Sequence, residues 1–368
     1  MRRILAAFAL FVAVARVSAA PPERTHTITP ADYASVNTIT EIALSPDGKQ
    51  VAYCLATWDK GSDRRFTDLW VVDTDGKGKP KQLTQDRANE RHPKWSADGK
   101  SVYVLANRGA KAKTQVWKVS LAGGTTAITN VPAGVVAYDY ALKADTVYYT
   151  VDATAEDADD FSALRKKYAK IDYGHGKRTV SELFSVKGDG KPEKVLAEKR
   201  YVRELAVTQD GKRIAMVSAY DDSVVKSEGE SRVDVWEGGK VVTPPTDVYR
   251  AKAASPFAWL ENLAWNPDGT RFAFCAVFDA YPAEVVLGEL KEGKWTTKLH
   301  ERSPALHVRG YGSPLRWRSA DVVTYLGESR GGFGIVAARA DDRGIAMSYG
   351  QHQVIYAYEP LPVAPETQ

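Results

Sequence analysis

A serine in a glycine-rich setting is the residue of this sequence that most resembles a nucleophile. Gly327-Glu328-Ser329-Arg330-Gly331 fits G-x-S-x-G, a pattern in which a strand runs through a sharp turn into a helix and exposes the serine hydroxyl. Only the strand, Val322 to Leu326, is indicated here, because the residues that follow predict a loop and a second strand. The acidic and histidine partners that follow are Asp341, Asp342 and His352. We therefore interpret the motif as a loop and expect no catalytic residue in this chain.

The other reactive residues do not indicate metal or cofactor chemistry. The histidines lack the short spacings of metal ligands, and the two cysteines are too far apart for a local zinc site. A P-loop is absent, and Gly332 and Gly334 have no third glycine where a dinucleotide-binding fingerprint requires one. We expect neither a metal nor a cofactor. The histidines are His26, His92, His175, His300, His307 and His352.

The elements that would position these residues are marked by one recurrent turn. Its clear copies are Ser45-Pro46-Asp47-Gly48-Lys49, Ser96-Ala97-Asp98-Gly99-Lys100, Thr208-Gln209-Asp210-Gly211-Lys212 and Asn266-Pro267-Asp268-Gly269-Thr270. Asp can cap its own backbone and Gly accepts the left-handed conformation, so each copy predicts a tight turn. A bulky residue precedes each turn and a run of β-forming residues follows it, which indicates a repeated hairpin. Weaker copies lie at Asp145 and Asp321.

The repeat predicts an all-β fold, a β-propeller of four-stranded antiparallel blades with at least six recognisable repeats. The marker aspartates are spaced by roughly fifty residues, as expected for propeller blades. A β-sandwich also has many short strands, but it does not repeat one turn after the same kind of bulky residue. A helical solenoid would show a hydrophobic period of 3.6 rather than two. The long interval between Asp145 and Asp210 leaves room for one further, unmarked blade.

The chain divides into four segments. Residues 1–19 predict a cleaved signal peptide, with Arg2-Arg3, an apolar run and a small-residue cleavage site. Residues 20–38 predict an extended arm, residues 39–358 the propeller, and residues 359–368 a Pro-rich tail. The apolar run is too short to cross a bilayer. We therefore expect a secreted or periplasmic protein without a membrane span.

The charge balance gives no basis for nucleic-acid binding. The sequence has 50 Lys and Arg against 46 Asp and Glu, and the signal segment contains Arg2, Arg3 and Arg16. The mature chain is therefore close to neutral, and its basic residues are interleaved with acidic ones rather than clustered. We expect no nucleic acid partner.

One composition shift interrupts the propeller, at residues 152–179. Residues 155–160 are acidic, residues 161–168 could form a short helix, and residues 173–178 make up a basic, glycine-containing loop. Insertions project from the rim of a propeller, where they can meet a partner. Tyr173, His175 and Arg178 are thus candidate partner contacts. A solvated excursion without a role is the alternative.

Cys54 and Cys275 occupy matching positions in two different repeats, each on the strand after a turn. An exported chain permits a disulfide. Equivalent strands of different blades are far apart, however, whereas a disulfide requires Cα atoms within about 7 Å. We therefore expect two buried free thiols.

The blade openings resemble the TolB-like propeller repeat, as in Leu44 to Lys49, Trp95 to Lys100 and Trp265 to Thr270. More specifically, the sequence resembles the N-terminal half of secreted prolyl oligopeptidase family serine peptidases. The segments that carry this likeness are the secreted start, Ser45-Pro46-Asp47-Gly48-Lys49, Ser181-Glu182-Leu183-Phe184-Ser185-Val186, and Tyr201-Val202-Arg203-Glu204-Leu205 ahead of Asp210-Gly211. The resemblance covers about Ile39 to Tyr358.

In that family, an α/β-hydrolase domain with a Ser, Asp and His triad follows the propeller, and the propeller restricts which peptides reach the serine. This sequence reaches Gln368 where that domain would begin, so no triad residue can be carried over. The resemblance implies one of two possibilities. The first is a non-catalytic exported propeller that binds a peptide or protein at its rim or central channel. The second is the gating half of a dipeptidyl or acylaminoacyl peptidase-like enzyme whose hydrolase domain is missing or is supplied in trans. Whether the chain is an enzyme stays open.

Overall fold

The computed structural model describes residues 26–109, 112–154, 166–168, 178–188, 190–197, 200–253, 255–278, 283–342, 344–349 and 358–360. The chain splits into two compact units, Met1–Val36 and Asn37–Gln368. The predicted signal peptide lies outside the described residues.

The described part of the first unit contains a short helix, α1 (Pro30–Ser35). The Asp32 carboxylate accepts hydrogen bonds from the Thr29 backbone N–H at 2.6 Å and from His26 Nε2 at 2.8 Å. Pro30 stands at the start of the helix, where its fixed φ is favourable and its missing N–H costs nothing. The prediction of an extended arm over residues 20–38 is therefore wrong for this stretch, because Thr29 and Asp32 organise a helix start.

The second unit is a six-bladed β-propeller of four-stranded antiparallel blades, which confirms the predicted fold. Blade 1 contains β1 (Thr38–Leu44), β2 (Gln50–Asp59), β3 (Arg64–Asp73) and β4 (Lys81–Gln82). Blade 2 contains β5 (Arg91–Trp95), β6 (Ser101–Ala106), β7 (Gln115–Ser120) and β8 (Thr125–Ala127). Blade 3 contains β9 (Val135–Ala141), β10 (Thr146–Thr154), β11 (Thr179–Lys187) and β12 (Glu193–Ala197).

The remaining blades follow the same order. Blade 4 contains β13 (Tyr201–Val207), β14 (Arg213–Ala219), β15 (Arg232–Glu237) and β16 (Lys240–Val242). Blade 5 contains β17 (Trp259–Trp265), β18 (Arg271–Val277), β19 (Glu284–Lys291) and β20 (Lys294–Leu299). In blade 6 the first strand is split into β21 (Leu306–Val308) and β22 (Leu315–Trp317), followed by β23 (Val322–Ser329), β24 (Gly332–Arg339) and β25 (Ile345–Tyr349). Both halves of the split strand pair with β23.

The long interval between Asp145 and Asp210 completes blade 3 rather than adding a blade. Strands β10 and β11 pair along their whole length, from Thr146 with Lys187 to Thr154 with Thr179, so the predicted 152–179 insertion begins and ends within the strands of one hairpin. No additional sheet occurs among the described residues of this interval. Asp145 replaces the usual turn glycine and itself adopts φ 50°, a left-handed conformation that Asp tolerates better than most residues.

The antiparallel order gives the propeller two different faces. The Asp-Gly turns between the first and second strands of each blade lie on one face, here called the turn face. The connections between second and third strands, and between successive blades, lie on the opposite face, here called the loop face. The loop face therefore carries the ends of β10 and β11 at Thr154 and Thr179, the helix α2 (Val224–Glu230) of blade 4, and the 3₁₀ turn Asp247–Tyr249 that precedes blade 5.

The bulky residue ahead of the turn joins neighbouring blades. Trp95 Nε1 donates to the Ala43 carbonyl at 2.9 Å, and Trp265 Nε1 donates to the Ala206 carbonyl at 2.9 Å. Trp317 repeats the contact, with Ala264 as acceptor at 3.0 Å. Each indole fills the space between two blades and satisfies a backbone carbonyl of the preceding first strand.

Both cysteines are buried and free, as predicted. Cys54 lies on β2 and packs in the core between blades 1 and 2, whereas Cys275 lies on β18 in the core between blades 5 and 6. Burial raises the pKa of each thiol well above its ordinary value. These cysteines are therefore inert packing residues in the folded chain.

Candidate functional site

Several exposed large apolar side chains of the propeller lie on or near the loop face. Tyr220 is 44% exposed, Val224 61%, Val225 72%, Phe257 59% and Tyr311 70%. A cluster of exposed apolar side chains on one face is typical of an interaction surface rather than of an ordinary solvated surface. This face is therefore the candidate functional site.

Four of them form what we call the apolar patch: Tyr220, Val224, Val225 and Phe257. Tyr220 precedes α2, the two valines begin it, and Phe257 lies just before β17. The backbone of α2 approaches the Phe257 ring closely, since a Cβ placed on Gly229 would lie 3.5 Å from Phe257 Cε1. The end of α2 and the inter-blade connection therefore lie next to each other.

Arg250 holds the two segments of the apolar patch together. Its Nη1 donates to the carbonyls of Glu228 and Pro256, each at 2.9 Å, and its Nη2 donates to Ser231 Oγ at 2.9 Å. The Ala258 N–H also donates to the Glu228 carbonyl at 2.9 Å. Partial burial lowers the pKa of the Arg250 guanidinium from its ordinary value. One cation therefore satisfies carbonyls at the end of α2 and on either side of Phe257.

Of the three partner contacts predicted from sequence, one is described and it touches the apolar patch. The Arg178 guanidinium lies over the Tyr220 ring, 4.7 Å from its centroid, which is cation–π geometry. The structure thereby brings the end of the blade 3 insertion against blade 4. Tyr173 and His175 lie outside the described residues and stay predictions.

The G-x-S-x-G motif forms a hairpin turn rather than a strand-to-helix elbow. Ser329 pairs with Gly332 at the end of β23 and β24. The two loop residues, Arg330 and Gly331, have φ values of 50° and 73°, which is the arrangement of a type I′ turn. This local structure agrees with the interpretation of the motif as a blade loop.

The neighbouring histidine lies on the wrong face of the sheet to activate Ser329. His307 is paired with Glu328, whereas Ser329 is paired with Leu306, which is buried. Successive side chains of a strand point to opposite faces, so His307 and Ser329 lie on opposite faces of the blade. His307 is therefore not placed to act as the general base that nucleophilic catalysis by Ser329 would require.

Carboxylates on the first strands hold adjacent blades together around the central channel. Glu41 of blade 1 accepts from the His92 N–H at 2.8 Å in blade 2. Glu204 of blade 4 accepts from the N–H groups of Asn262 at 3.0 Å and Leu263 at 2.5 Å in blade 5. His92 and Asn262 have φ values of 54° and 61°, so these carboxylates stabilise uncommon backbone conformations.

The two carboxylates differ in their electrostatics. Burial raises the pKa of Glu204, although its two backbone donors and Arg203 favour the charged form. Burial also opposes the ionisation of Glu41, but hydrogen bonds from His92, the charge of His92 and the charge of Arg316 bring its pKa below the ordinary value. Glu41 and Glu204 therefore each have partners that favour the charged carboxylate.

Sequence reasoning missed the apolar patch and its organising arginine. Val224 and Val225 interrupt an otherwise polar stretch, residues 220–230, and this pair was the available signal. Arg250 gave no local signal, because its acceptors come from α2 and from residues 256–258. Tyr311, which lies between two glycines, also belongs to none of the turn repeats recognised in the sequence.

Within the described ranges, no helix has the length and apolar character needed to cross a membrane. Over the same ranges, no cluster of three or more His, Cys, Asp and Glu side chains is arranged to hold a metal ion.

Comparison with known proteins identifies relatives over part of the sequence. No family model matches the chain. Dipeptidyl-peptidase 5 of Porphyromonas gingivalis is 37% identical over 82 residues, which is 22% of this chain and 12% of that protein. The match therefore spans only a small part of that curated relative.

Solved structures match over most of the propeller. The β-propeller domain of the Trilobed protease from Pyrococcus furiosus has a TM-score of 0.54 at 14% identity, covering 84% of this chain and 83% of that one. A puromycin-hydrolysing peptidase of Mycobacterium tuberculosis has a TM-score of 0.54 at 11% identity, covering 85% of this chain and 44% of that one. TolB from Acinetobacter baumannii also matches, with a TM-score of 0.47 at 13% identity over 89% of this chain and 84% of that one. The chain thus has the β-propeller fold found in prolyl oligopeptidase family peptidases, together with partial sequence similarity to a dipeptidyl peptidase.

Proposed function

We propose that this chain is an exported peptidase-type propeller that binds extended segments of peptides or proteins on its loop face and does not hydrolyse them by itself. The observation that carries the proposal is the apolar patch, because Val225 and Phe257 are mostly exposed, while Arg250 ties together the backbone of the two segments that carry them, at Glu228 and Pro256. A rigid apolar surface loses little entropy when a partner binds, which favours recognition.

The comparisons support a peptide as the ligand class. The relatives with this fold include proteases and peptidases, and the partial sequence match is to a dipeptidyl peptidase. The chain spans 44% of the length of the mycobacterial peptidase, so that protein's activity is not carried over as a whole. Export follows from the predicted signal peptide at residues 1–19, and cleavage near Ala19 can be checked by N-terminal sequencing of protein secreted from a host.

The test of binding compares two valine variants of blade 4. Fluorescence anisotropy would follow a fluorescein-labelled pool of tryptic casein peptides titrated with the chain. Val225→Asp places a charge in the apolar patch and should weaken binding at least tenfold. Val242→Asp is the matched control, because Val242 is 49% exposed but lies on β16, the outermost strand of the same blade. Equal binding by both variants and the wild type would exclude the apolar patch as the binding surface.

A second candidate function is that of a gating propeller which works with a serine hydrolase domain, joined in a longer protein or supplied in trans. The specific observation in its favour is the partial match to a dipeptidyl peptidase. A fluorophosphonate probe should leave the purified chain unlabelled, because the hairpin holds Ser329 away from His307. Labelling that disappears in Ser329→Ala would show instead that this chain carries its own nucleophile.

A further inference from the structure

The first strand of blade 6 has a longer interruption than the short bulges in the first strands of blades 1, 2, 4 and 5. Val308 pairs with Gly327 and Leu315 pairs with Tyr325, so residues 309–314 stand opposite the single residue Leu326. We call residues 309–314 the Tyr311 loop. A bulge of this size in an otherwise regular strand is a specific feature of the sequence rather than a defect of pairing.

The Tyr311 loop extends along the channel wall toward blade 5. Strand β23 occupies one side of β21 and β22, so the loop leaves the sheet on the other side. There the Gly312 N–H donates to Glu261 Oε1 at 2.8 Å, and Glu261 lies on β17, the first strand of blade 5. The loop therefore bridges two first strands at the wall of the channel.

Close contacts fix the loop backbone. The Arg309 N–H donates to the Leu326 carbonyl at 3.0 Å, and Ser313 Oγ donates to the Gly310 carbonyl at 3.0 Å. Gly310 fits only without a side chain, since a Cβ there would lie 2.7 Å from Val277 Cγ2. Ser313 is 6% exposed. These contacts hold the loop in one conformation.

Tyr311 is nevertheless displayed to solvent. Its side chain is 70% exposed, and its backbone has φ 54°, a left-handed conformation that is unfavourable for a bulky residue. Gly would fit this position without strain, and glycines flank it on both sides. His92 and Asn262 adopt similar φ values where a carboxylate of the preceding blade holds the backbone, so the feature that sets Tyr311 apart is its exposed tyrosine ring.

A shallow depression adjoins the base of the loop. It has a volume of about 310 Å³ and is lined by His307, Val308, Arg309, Glu328 and Phe333. The Arg309 guanidinium lies 5.7 Å from the Phe333 ring centroid. Arginine donates hydrogen bonds and Glu328 accepts them, so the depression offers partners for both the C=O and the N–H of a peptide unit.

We propose that the Tyr311 loop recognises an aromatic side chain of a peptide bound on the loop face. The peptide ring stacks on Tyr311, while Arg309 and Glu328 bond to an adjoining peptide unit in the depression. The site holds one guanidinium and one carboxylate, so it suits an uncharged stretch of peptide rather than an acidic or basic one. This inference rests on the proposed function, because it assigns a preference to that same peptide-binding face.

The experiment uses two fluorescein-labelled octapeptides of Gly and Ser, one with a central Phe and one with Ala in its place. Tyr311→Gly removes the ring and relieves the backbone strain, so the fold is retained. We expect this variant to lose roughly five- to tenfold in affinity for the Phe peptide and to bind the Ala peptide as the wild type does. Tyr311→Phe keeps a stacking surface and should keep the preference for the Phe peptide.

The outcomes separate the two proposals. If the wild type and Tyr311→Gly prefer the Phe peptide equally, while Val225→Asp abolishes binding, the loop inference is wrong and the binding function stands. If the wild type binds neither the octapeptides nor the casein peptides, the proposed function itself fails. An unchanged or raised unfolding midpoint for Tyr311→Gly would show that a loss of affinity does not come from misfolding.

Discussion

Arg316 of blade 6 forms an ion pair with Glu359, with 2.8 Å between Nε and Oε2. The charge of Arg316 also helps to lower the pKa of Glu41 in blade 1, so the pair lies at the seam between the first and last blades. The adjoining Tyr358 is 6% exposed. Blades 1 and 6 are each built from consecutive strands within the described residues.

We expect Glu359→Gln to weaken this seam. The pair is partly exposed, at 38% for the Arg316 side chain and 25% for Glu359, so the loss in the free energy of unfolding should be about 1 kcal/mol. Urea denaturation measures it. The matched control is Asp341→Asn, which removes the local Arg339 ion pair within a turn of blade 6. An equal loss from both variants would argue that Glu359 has no special role in joining the blades.

Trp265→Phe should destabilise the contact between blades 4 and 5. The change removes the indole N–H that donates to the Ala206 carbonyl and leaves that acceptor unsatisfied, at a cost of about 2 kcal/mol. Chemical denaturation followed by circular dichroism gives the difference. Trp236→Phe is the control, because within the described part of the chain the Trp236 indole nitrogen is buried without a hydrogen-bond partner. A similar loss in both variants would mean that ring volume, not the hydrogen bond, joins the blades.

Gly288→Ala should disrupt the core of blade 5. A Cβ at this position on β19 would lie 2.1 Å from Cζ of Phe272, which is fully buried between β17 and β19. The ring would have to move within a close-packed interior, at a cost of about 2 to 3 kcal/mol. Thermal unfolding tests this. Gly344→Ala is the comparison, since a Cβ there meets no atom within 4 Å, and it should leave the melting temperature nearly unchanged.

His300 should make stability depend on pH below neutrality. Its side chain is 1% exposed and its Nδ1 lies 2.6 Å from Asp342 Oδ1. Burial lowers the pKa of His300, although Asp342 opposes the shift. The unfolded chain, with a histidine pKa of about 6.5, therefore takes up the proton first as the pH falls. Stability contributed by neutral His300 is present above this value and declines as the pH drops through it.

Unfolding midpoints measured between pH 7.5 and pH 5 with about half-unit steps would reveal this dependence. His300→Gln should flatten the curve over this window. His307→Gln, at an exposed position on β21, should keep the slope of the wild type because His307 is not part of the buried pair. A wild-type slope in His300→Gln would assign the pH dependence to other groups.

The blades were predictable because their turns have local requirements. Asp47 and Gly48 fix a reversal of the chain whatever surrounds them, and Gly48 does adopt φ 72°. The same holds for Gly99, Gly211 and Gly269. Spacing of these turns was enough to predict four-stranded units and a propeller. The G-x-S-x-G segment was assigned to a loop for the same reason, since a hairpin is decided by a few adjacent residues.

Two features were harder to predict. The helix α1 was missed although Thr29, Pro30 and Asp32 form a recognisable helix start, because the surrounding composition favoured an extended arm. The interval from Asp145 to Asp210 fitted either an insertion or another blade. Local sequence does not say whether a later strand pairs with an earlier one, and the pairing of β11 with β10 decided the question.

The sequence by itself determined the blade repeat, the positions of the turns and the burial of Cys54 and Cys275, since periodicity and turn chemistry act over a few residues. Only the tertiary structure decided which side chains form a surface. Arg250 gathers carbonyls from separate segments, and Glu261 reaches across a blade boundary to the Tyr311 loop. Such contacts exist only after the ring brings distant segments together, because hydrogen bonds and ion pairs act over a few ångströms whereas their partners are tens of residues apart in the chain.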